Sequence, residues 1–288
     1  MTALFRSLLA LGLVLLAMQA RAAPIAVGPQ YDTTHVYVAA QDFDAFVEAF
    51  TATFGGKPSP RITATVTPTP SSAELQYVWT PAGTLSTFAF TTPIPYPFGQ
   101  ERTGYLVTDL DAALAAARRA GADVIVEPFK DPVGRDAVVE WPGGVKMQFY
   151  WHFKAPSYAA LQHVPENRVY LSADRVDAFV HSFLKFSGGS VVRDEREADA
   201  AEIGRPGDRY RRIDLTSGFG AMRVIVSDGH LPYPYGHELT GYAVDDLAAT
   251  LTKGKSKGLR ELTPVLASGG RHSTIVEFPG GYIAELHS

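Results

Sequence analysis

The sequence predicts an α+β fold built from four β-α-β-β-β modules, set out as two similar halves in tandem. Three observations carry that prediction. The stretch Pro95-Tyr96-Pro97-Phe98-Gly99, with its continuation to Tyr105, reappears from Pro232 to Tyr242 at an offset of 137. The run Val139-Glu140-Trp141-Pro142-Gly143-Gly144 returns at the same offset as Val276-Glu277-Phe278-Pro279-Gly280-Gly281. An earlier anchor, Asp44-Ala45-Phe46-Val47, matches Asp177-Ala178-Phe179-Val180 at an offset of 133, so the second copy holds about four extra residues between these anchors. A repeat this long exceeds solenoid periods and describes paired domains.

The first residues stand apart from the fold. Arg6, an apolar run over 8–18 and then Ala20-Arg21-Ala22 form a secretory leader, with the cut expected after Ala22. The run is too short to span a bilayer. Residues 1–22 are therefore expected to be removed, leaving a periplasmic or secreted protein with no membrane attachment.

A first domain is expected over 30–152. Its opening run, 34–39, is β-branched and aromatic. Phe43, Phe46, Val47 and Phe50 follow at helical spacing, and Gly55-Gly56 ends that helix. Strand-like runs at 61–67, 74–80 and 84–91 are separated by Pro- and Ser-rich turns. The plan then repeats, with a strand at 104–108 and an Ala-rich helix striped by Leu110, Ala113, Leu114 and Ala117. Strands at 123–127, 136–141 and 145–151 close the module.

Residues 153–165 read as a linker, and a second domain occupies 166–288. A strand at 168–172 precedes a helix striped by Val176, Phe179, Val180 and Phe183. Strands follow at 191–193, 209–215 and 221–227, and the charged run 194–202 between them reads as a solvated loop. The last module has a strand at 241–245, a weaker helix from Leu247, and strands at 260–263, 273–278 and 282–287.

Composition narrows the function classes. Apolar residues make up 46% and charged residues 19%, which describes a globular chain long enough for two domains. With no cysteine, thiolate metal sites and disulfides are excluded. A net charge of −4 and no basic face argue against nucleic acid. No phosphate-binding loop, dinucleotide fingerprint, nucleophile elbow or zincin helix occurs. The expected partner is a small-molecule ligand, bound by a monomer or a homodimer.

Four such modules, with strand, Asp-led helix, Gly, and a Pro-Gly-Gly turn into a last strand at 104–121 and 143–148, resemble the vicinal oxygen chelate superfamily. That superfamily holds glyoxalases, extradiol dioxygenases and bleomycin- or fosfomycin-resistance proteins. The resemblance spans nearly all of the chain after the leader. It implies two half-open mixed sheets, each formed by two modules around a divalent metal (Zn, Ni, Mn or Fe) that polarises substrate oxygens.

Carried over residue by residue, the family's first-strand position falls on His35, Arg102, Arg168 and Leu239. Its last-strand position, four residues past a turn glycine, falls on Thr87, Gln148, Val224 and Glu285. If module one faces module four, as in glyoxalases, His35, His237 and Glu285 form a metal set with Glu285 also able to act as base. If each half holds its own site, as in dioxygenases, neither has three good ligands. Arg102 and Arg168 suit an anionic group on a ligand, or salt bridges to Glu101 and Glu166. Gln148, Tyr105 and Tyr242 complete the expected substrate-binding set. The resemblance thus leaves two readings: a metal-dependent lyase or isomerase of glyoxalase type, and a metal-free protein that sequesters a ligand. A ring-cleaving dioxygenase stands third.

Overall fold

The computed structural model describes residues 24–29 and 33–288, so the leader read at 1–22 lies outside the described residues. In chain order the first half runs β1 (Thr33–Tyr37), α1 (Phe43–Phe54), β2 (Lys57–Pro58), β3 (Ile62–Ala64), β4 (Ala73–Thr80) and β5 (Gly83–Phe90). It continues through β6 (Thr103–Leu106), α2 (Leu110–Ala120), β7 (Asp123–Lys130), β8 (Gly134–Trp141) and β9 (Val145–His152). The second half begins β10 (Glu166–Leu171), α3 (Val176–Ser187), β11 (Ser190–Asp199), β12 (Arg209–Ser217) and β13 (Gly220–Val226). It ends β14 (Glu238–Ala243), α4 (Leu247–Lys255), β15 (Arg260–Glu261), β16 (Leu266–Ser268), β17 (Arg271–Glu277) and β18 (Ile283–His287).

Each half forms one mixed nine-stranded sheet. The first has the order β2-β4-β5-β1-β6-β9-β8-β7, with β3 on β4; the second has β11-β12-β13-β10-β14-β18-β17-β15, with β16 on β17. The two copies share register as well as order. Gly104 faces Gln148 across β6 and β9, and Gly241 faces Glu285 across β14 and β18. His35 faces Ser86 in one copy, and Arg168 faces Arg223 in the other. Modules one and two therefore share a sheet, and so do modules three and four. The glyoxalase-type pairing of module one with module four is not how these sheets are built, because β1 bonds to β6 of its own half.

Period-two alternation gives each strand one face toward the helices and one away from them. Val36 and Val38 lie in the helix-side core, which turns His35 and Tyr37 to the other face. Met147 and Phe149 do the same for Gln148, and Val169 and Leu171 for Arg168. The helices are set by local chemistry. Asp109 caps α2 by accepting from the Ala112 N–H at 2.9 Å, and Gly121, at φ 97°, ends it in the left-handed region. Asp246 caps α4 through the Ala249 N–H at 2.8 Å.

The helix layers of the two halves pack against each other. α1 lies on α4, where Phe46 and Phe50 meet Phe278 and Tyr282 with ring centroids 5.2–6.4 Å apart. α2 lies on α3, where Trp141 and Phe149 meet Phe186 at 5.1 and 5.0 Å. Each fully buried Phe contributes about 1.5–3 kcal/mol by leaving water. The two helix-side cores thus belong to both halves at once.

One expectation is corrected here. The charged run 194–202 is no solvated loop: most of it continues β11, and the 3-10 helix Ala200–Ile203 follows. Edge pairing with β12 satisfies its backbone, and Glu202 is buried because Arg212 and Arg223 reach it at 3.0 and 3.2 Å.

Candidate functional site

The helix-free face of the first sheet curls around a cleft of about 810 Å³, part of it open to solvent. Tyr37 from β1, Tyr77 from β4 and Phe88 from β5 supply aromatic wall, with Tyr37 stacked on Phe88 at 5.3 Å. His35, Gln148, His152 and Asp136 supply polar groups, and Val133 and Tyr158 close the rim from loops. Tyr37 donates a short hydrogen bond to Glu101, whose other neighbour is His35 Nδ1, 3.4 Å away and outside hydrogen-bond geometry.

Asp136 is 4% exposed and sits on the same face as Gln148, one diagonal step across β8 and β9. Burial pushes its carboxyl well above the usual carboxylate range, the Asp131 charge adds to the rise, and a hydrogen bond with Gln148 offsets part of it. Burial also lowers the pKa of His152, with Asp131 working against the shift. No lysine or arginine lines the cleft among the described residues.

The same face of the second sheet is filled by ion pairs and by an apolar cluster that includes Tyr170, Ile225, Tyr233 and Ile275. Arg168, fully buried, lies 3.5 Å from both Glu285 and Glu166. Arg271 reaches Glu285 at 2.7 Å and Glu166 at 3.1 Å, and His287 Nδ1 lies 2.8 Å from Glu285. Arg212 and Arg223 converge on Glu202, and Arg223 also holds Asp214 at 2.7 Å. Burial raises the Glu285 pKa, but Arg168, His287 and Arg271 outweigh it and hold the carboxyl far below its usual range. Such a carboxylate is a weak base.

The structure does not bring His35, His237 and Glu285 together. His35 lies on the first sheet, Glu285 is enclosed by arginines on the second, and the His237 ring packs on the Gly144 turn. Val224 lies in the helix-side core, while Thr87 falls in step with the helix-side Leu85 and Ala89 yet also borders the cleft. Arg102 is half-buried, donates to the Gly99 carbonyl at 2.9 Å and lies over the Tyr37 ring, outside the cleft proper. Tyr105 and Tyr242 are core residues: one stacks on Phe219 at 4.2 Å, the other bonds Tyr282 at 2.9 Å. Of the expected set, His35 and Gln148 alone line the cleft.

That donor set does not fit a metal held as the family holds one. The cleft offers one imidazole and one amide at family positions, and burial disfavours ionisation of its Asp136 carboxyl. In the second sheet a guanidinium stands against the one carboxylate. Among the described residues no group of three His, Asp or Glu side chains can hold an ion.

Asp136, Tyr77 and Phe88 were not singled out from sequence, nor were Arg271 and the arginines of β12 and β13. The signal for them lay in the repeat. At the offset of 137, Arg212, Arg223 and Arg271 correspond to Leu75, Ser86 and Gly134. Every arginine of the filled face has a neutral counterpart or, for Arg168, His35 in the open one.

Comparison of the structure with solved ones places this architecture. A mutant of 4-hydroxymandelate synthase from Streptomyces coelicolor superposes with a TM-score of 0.63 at 14% identity, over 92% of this chain and 93% of that one. The 2,2',3-trihydroxybiphenyl 1,2-dioxygenase of Sphingomonas wittichii gives 0.57 at 12% identity, over 92% and 90%. A Mn(II)-bound glyoxalase from Novosphingobium aromaticivorans gives 0.54 at 14%, over 92% and 83%. No family model and no curated protein matches the sequence. The fold is that of the vicinal oxygen chelate superfamily, duplicated, with two unclosed sheets. At these identities the likeness concerns fold, and function has to come from the site.

Proposed function

We propose that this chain binds a small, largely apolar molecule in the cleft of its first sheet without a metal. The observation that carries this reading is the contrast between two faces of matching register: one is an aromatic cleft whose lining holds no arginine or lysine among the described residues, the other is closed by arginine–carboxylate pairs and an apolar cluster. Relatives by fold include a manganese-bound glyoxalase and several dioxygenases, so a bound divalent ion is the reading to test against. Elemental analysis of the purified protein separates them: one equivalent of Mn, Fe, Zn or Ni per chain would overturn the metal-free reading. Ser86→Arg, which places the arginine of the second face into the first, is expected to abolish ligand-induced changes in intrinsic fluorescence while the chain stays folded. Unchanged ligand response in that variant would remove the cleft from consideration.

A second reading is favoured by the approach of His35 to Glu101. An imidazole beside a buried carboxyl and facing a cleft can move a proton, so a lyase or isomerase working through His35 follows from the same site. Turnover that disappears in His35→Gln with ligand binding retained would support it. We also propose, from the leader read at residues 1–22, export to the periplasm or beyond, and the N-terminal mass of exported protein tests a cut after Ala22.

A further inference from the structure

We propose that the cleft of the first sheet takes an organic cation, an ammonium group on an aromatic or apolar body, with Asp136 as its counter-charge. This rests on the cleft being the binding site and names the chemistry of what it holds.

The argument begins from the way this fold treats buried acids. On the second sheet Glu285, Glu166, Glu202 and Asp214 each face an arginine at 3.5 Å or less. The first sheet has the same register but none of the four arginines that hold those acids, having Leu75, Ser86, Gly134 and His35 at the matching positions. It nevertheless carries an acid at Asp136, where the second sheet has Ser273, since Asp136 faces Tyr150 as Ser273 faces His287. Asp136 is thus a buried carboxyl added to the copy that gives it no cation.

Its surroundings confirm the imbalance. Gln148 bonds it, Asp131 adds a like charge, and Tyr77, Tyr158 and His152 line the same cleft. Arg135, next in sequence, points the other way and holds Asp111 at 3.0 Å. The nearest lysine on the inner face of β9, Lys146, is taken by Glu140 at 2.8 Å. A lone carboxyl in such a place is costly to ionise unless a cation arrives. A ligand ammonium would supply that charge, and the faces of Tyr37, Tyr77 and Phe88 favour a cation beside them. Anionic ligands meet Asp131 and Asp136 with no basic side chain to offset them, which gives the cleft a sign preference.

The test compares three probes of one shape on the full chain: benzylamine, benzyl alcohol and benzoate, titrated by calorimetry near neutral pH. Benzylamine is expected to bind tighter than benzyl alcohol by on the order of tenfold or more, the value of one charge-assisted hydrogen bond, and benzoate weakest. Asp136→Asn is expected to bring benzylamine and benzyl alcohol within about threefold of each other. Because burial raises the Asp136 pKa and an adjacent ammonium would lower it, benzylamine binding is expected to shift its protonation toward the carboxylate, seen as a heat that changes with the buffer. Benzyl alcohol should show no such heat, and neither should either probe with Asp136→Asn. Equal affinity for benzylamine and benzyl alcohol in the unaltered chain overturns the inference while leaving the cleft as a binding site. A benzylamine preference that survives Asp136→Asn also overturns it, by placing the cation elsewhere. Binding of none of the three overturns the inference and the cleft reading together.

Discussion

Arg168 shows how far one side chain can redirect a site. It stands at the strand position that His35 holds in the first copy, and its guanidinium lies against Glu285 with no exposed surface on either residue. Arg271 and His287 still hold Glu285 when Arg168 is removed, but the buried carboxylate loses one partner with no solvent to replace it. Arg168→Met is therefore expected to destabilise the chain by at most about 3–5 kcal/mol, measured by urea denaturation. The double change Arg168→Met with Glu285→Gln should recover much of that loss, and equal destabilisation by the single and double changes would contradict the account. Glu285 as a base was a sound expectation from a carboxylate in a late strand. Its arginine cage could not be read locally, because Arg271 lies on the neighbouring strand and Arg168 on another module.

Among the elements, β6 and β14 meet across the junction of the halves, and an acid sits at their seam. The Glu238 carboxyl accepts from the Thr103 hydroxyl at 3.0 Å and from the Arg102 N–H at 3.3 Å. Burial raises its pKa from 4.5 to about 7, with the nearby Glu101 adding to the rise and the bonds from Thr103 and Arg102 opposing it. An acid with a raised folded pKa weakens the fold as pH climbs from its unfolded to its folded value. The seam should lose on the order of 3 kcal/mol between about pH 4.5 and 7, and no more above that. Glu238→Gln should flatten this part of the profile, read as a smaller difference in Tm between pH 5 and pH 8; an unchanged difference would assign the dependence to other groups. Helices and most strands were legible because stripes such as Phe43, Phe46, Val47 and Phe50 are local patterns. The continuation of the strand read at 191–193 as far as Asp199 was not, since a charged edge strand carries no hydrophobic period. Sheet partnership was not legible either: whether β1 bonds to its own half is decided by contacts far apart in sequence.

At the scale of the whole molecule, the halves are two by sequence and one by packing. α1 rests on α4 and α2 on α3, so the two helix-side cores draw side chains from both copies, while a third cluster around Tyr170, Ile225 and Ile275 lies within the second. The linker is pinned rather than loose, with the Gln162 N–H on the Pro81 carbonyl at 2.8 Å and His163 on Asp245 at 2.9 Å. A chain cut once within 153–165 is expected to elute as one particle, because the helix pairs hold the pieces together. The segment 166–288 made alone should expose its helix faces and bind a hydrophobic dye or aggregate. A well-folded, monomeric 166–288 would show that the cores are separable.

The matched registers have a consequence for stoichiometry. One scaffold is present twice, and the cleft of the first copy has as its counterpart in the second a face held by four arginines, their acids and an apolar cluster. Exchanging those arginines and acids for the residues at the corresponding positions of the first copy would take the charges from that face but leave Tyr170, Ile225 and Ile275 in place. On the reading proposed above one guest per polypeptide is expected, and that exchange alone would not add a second.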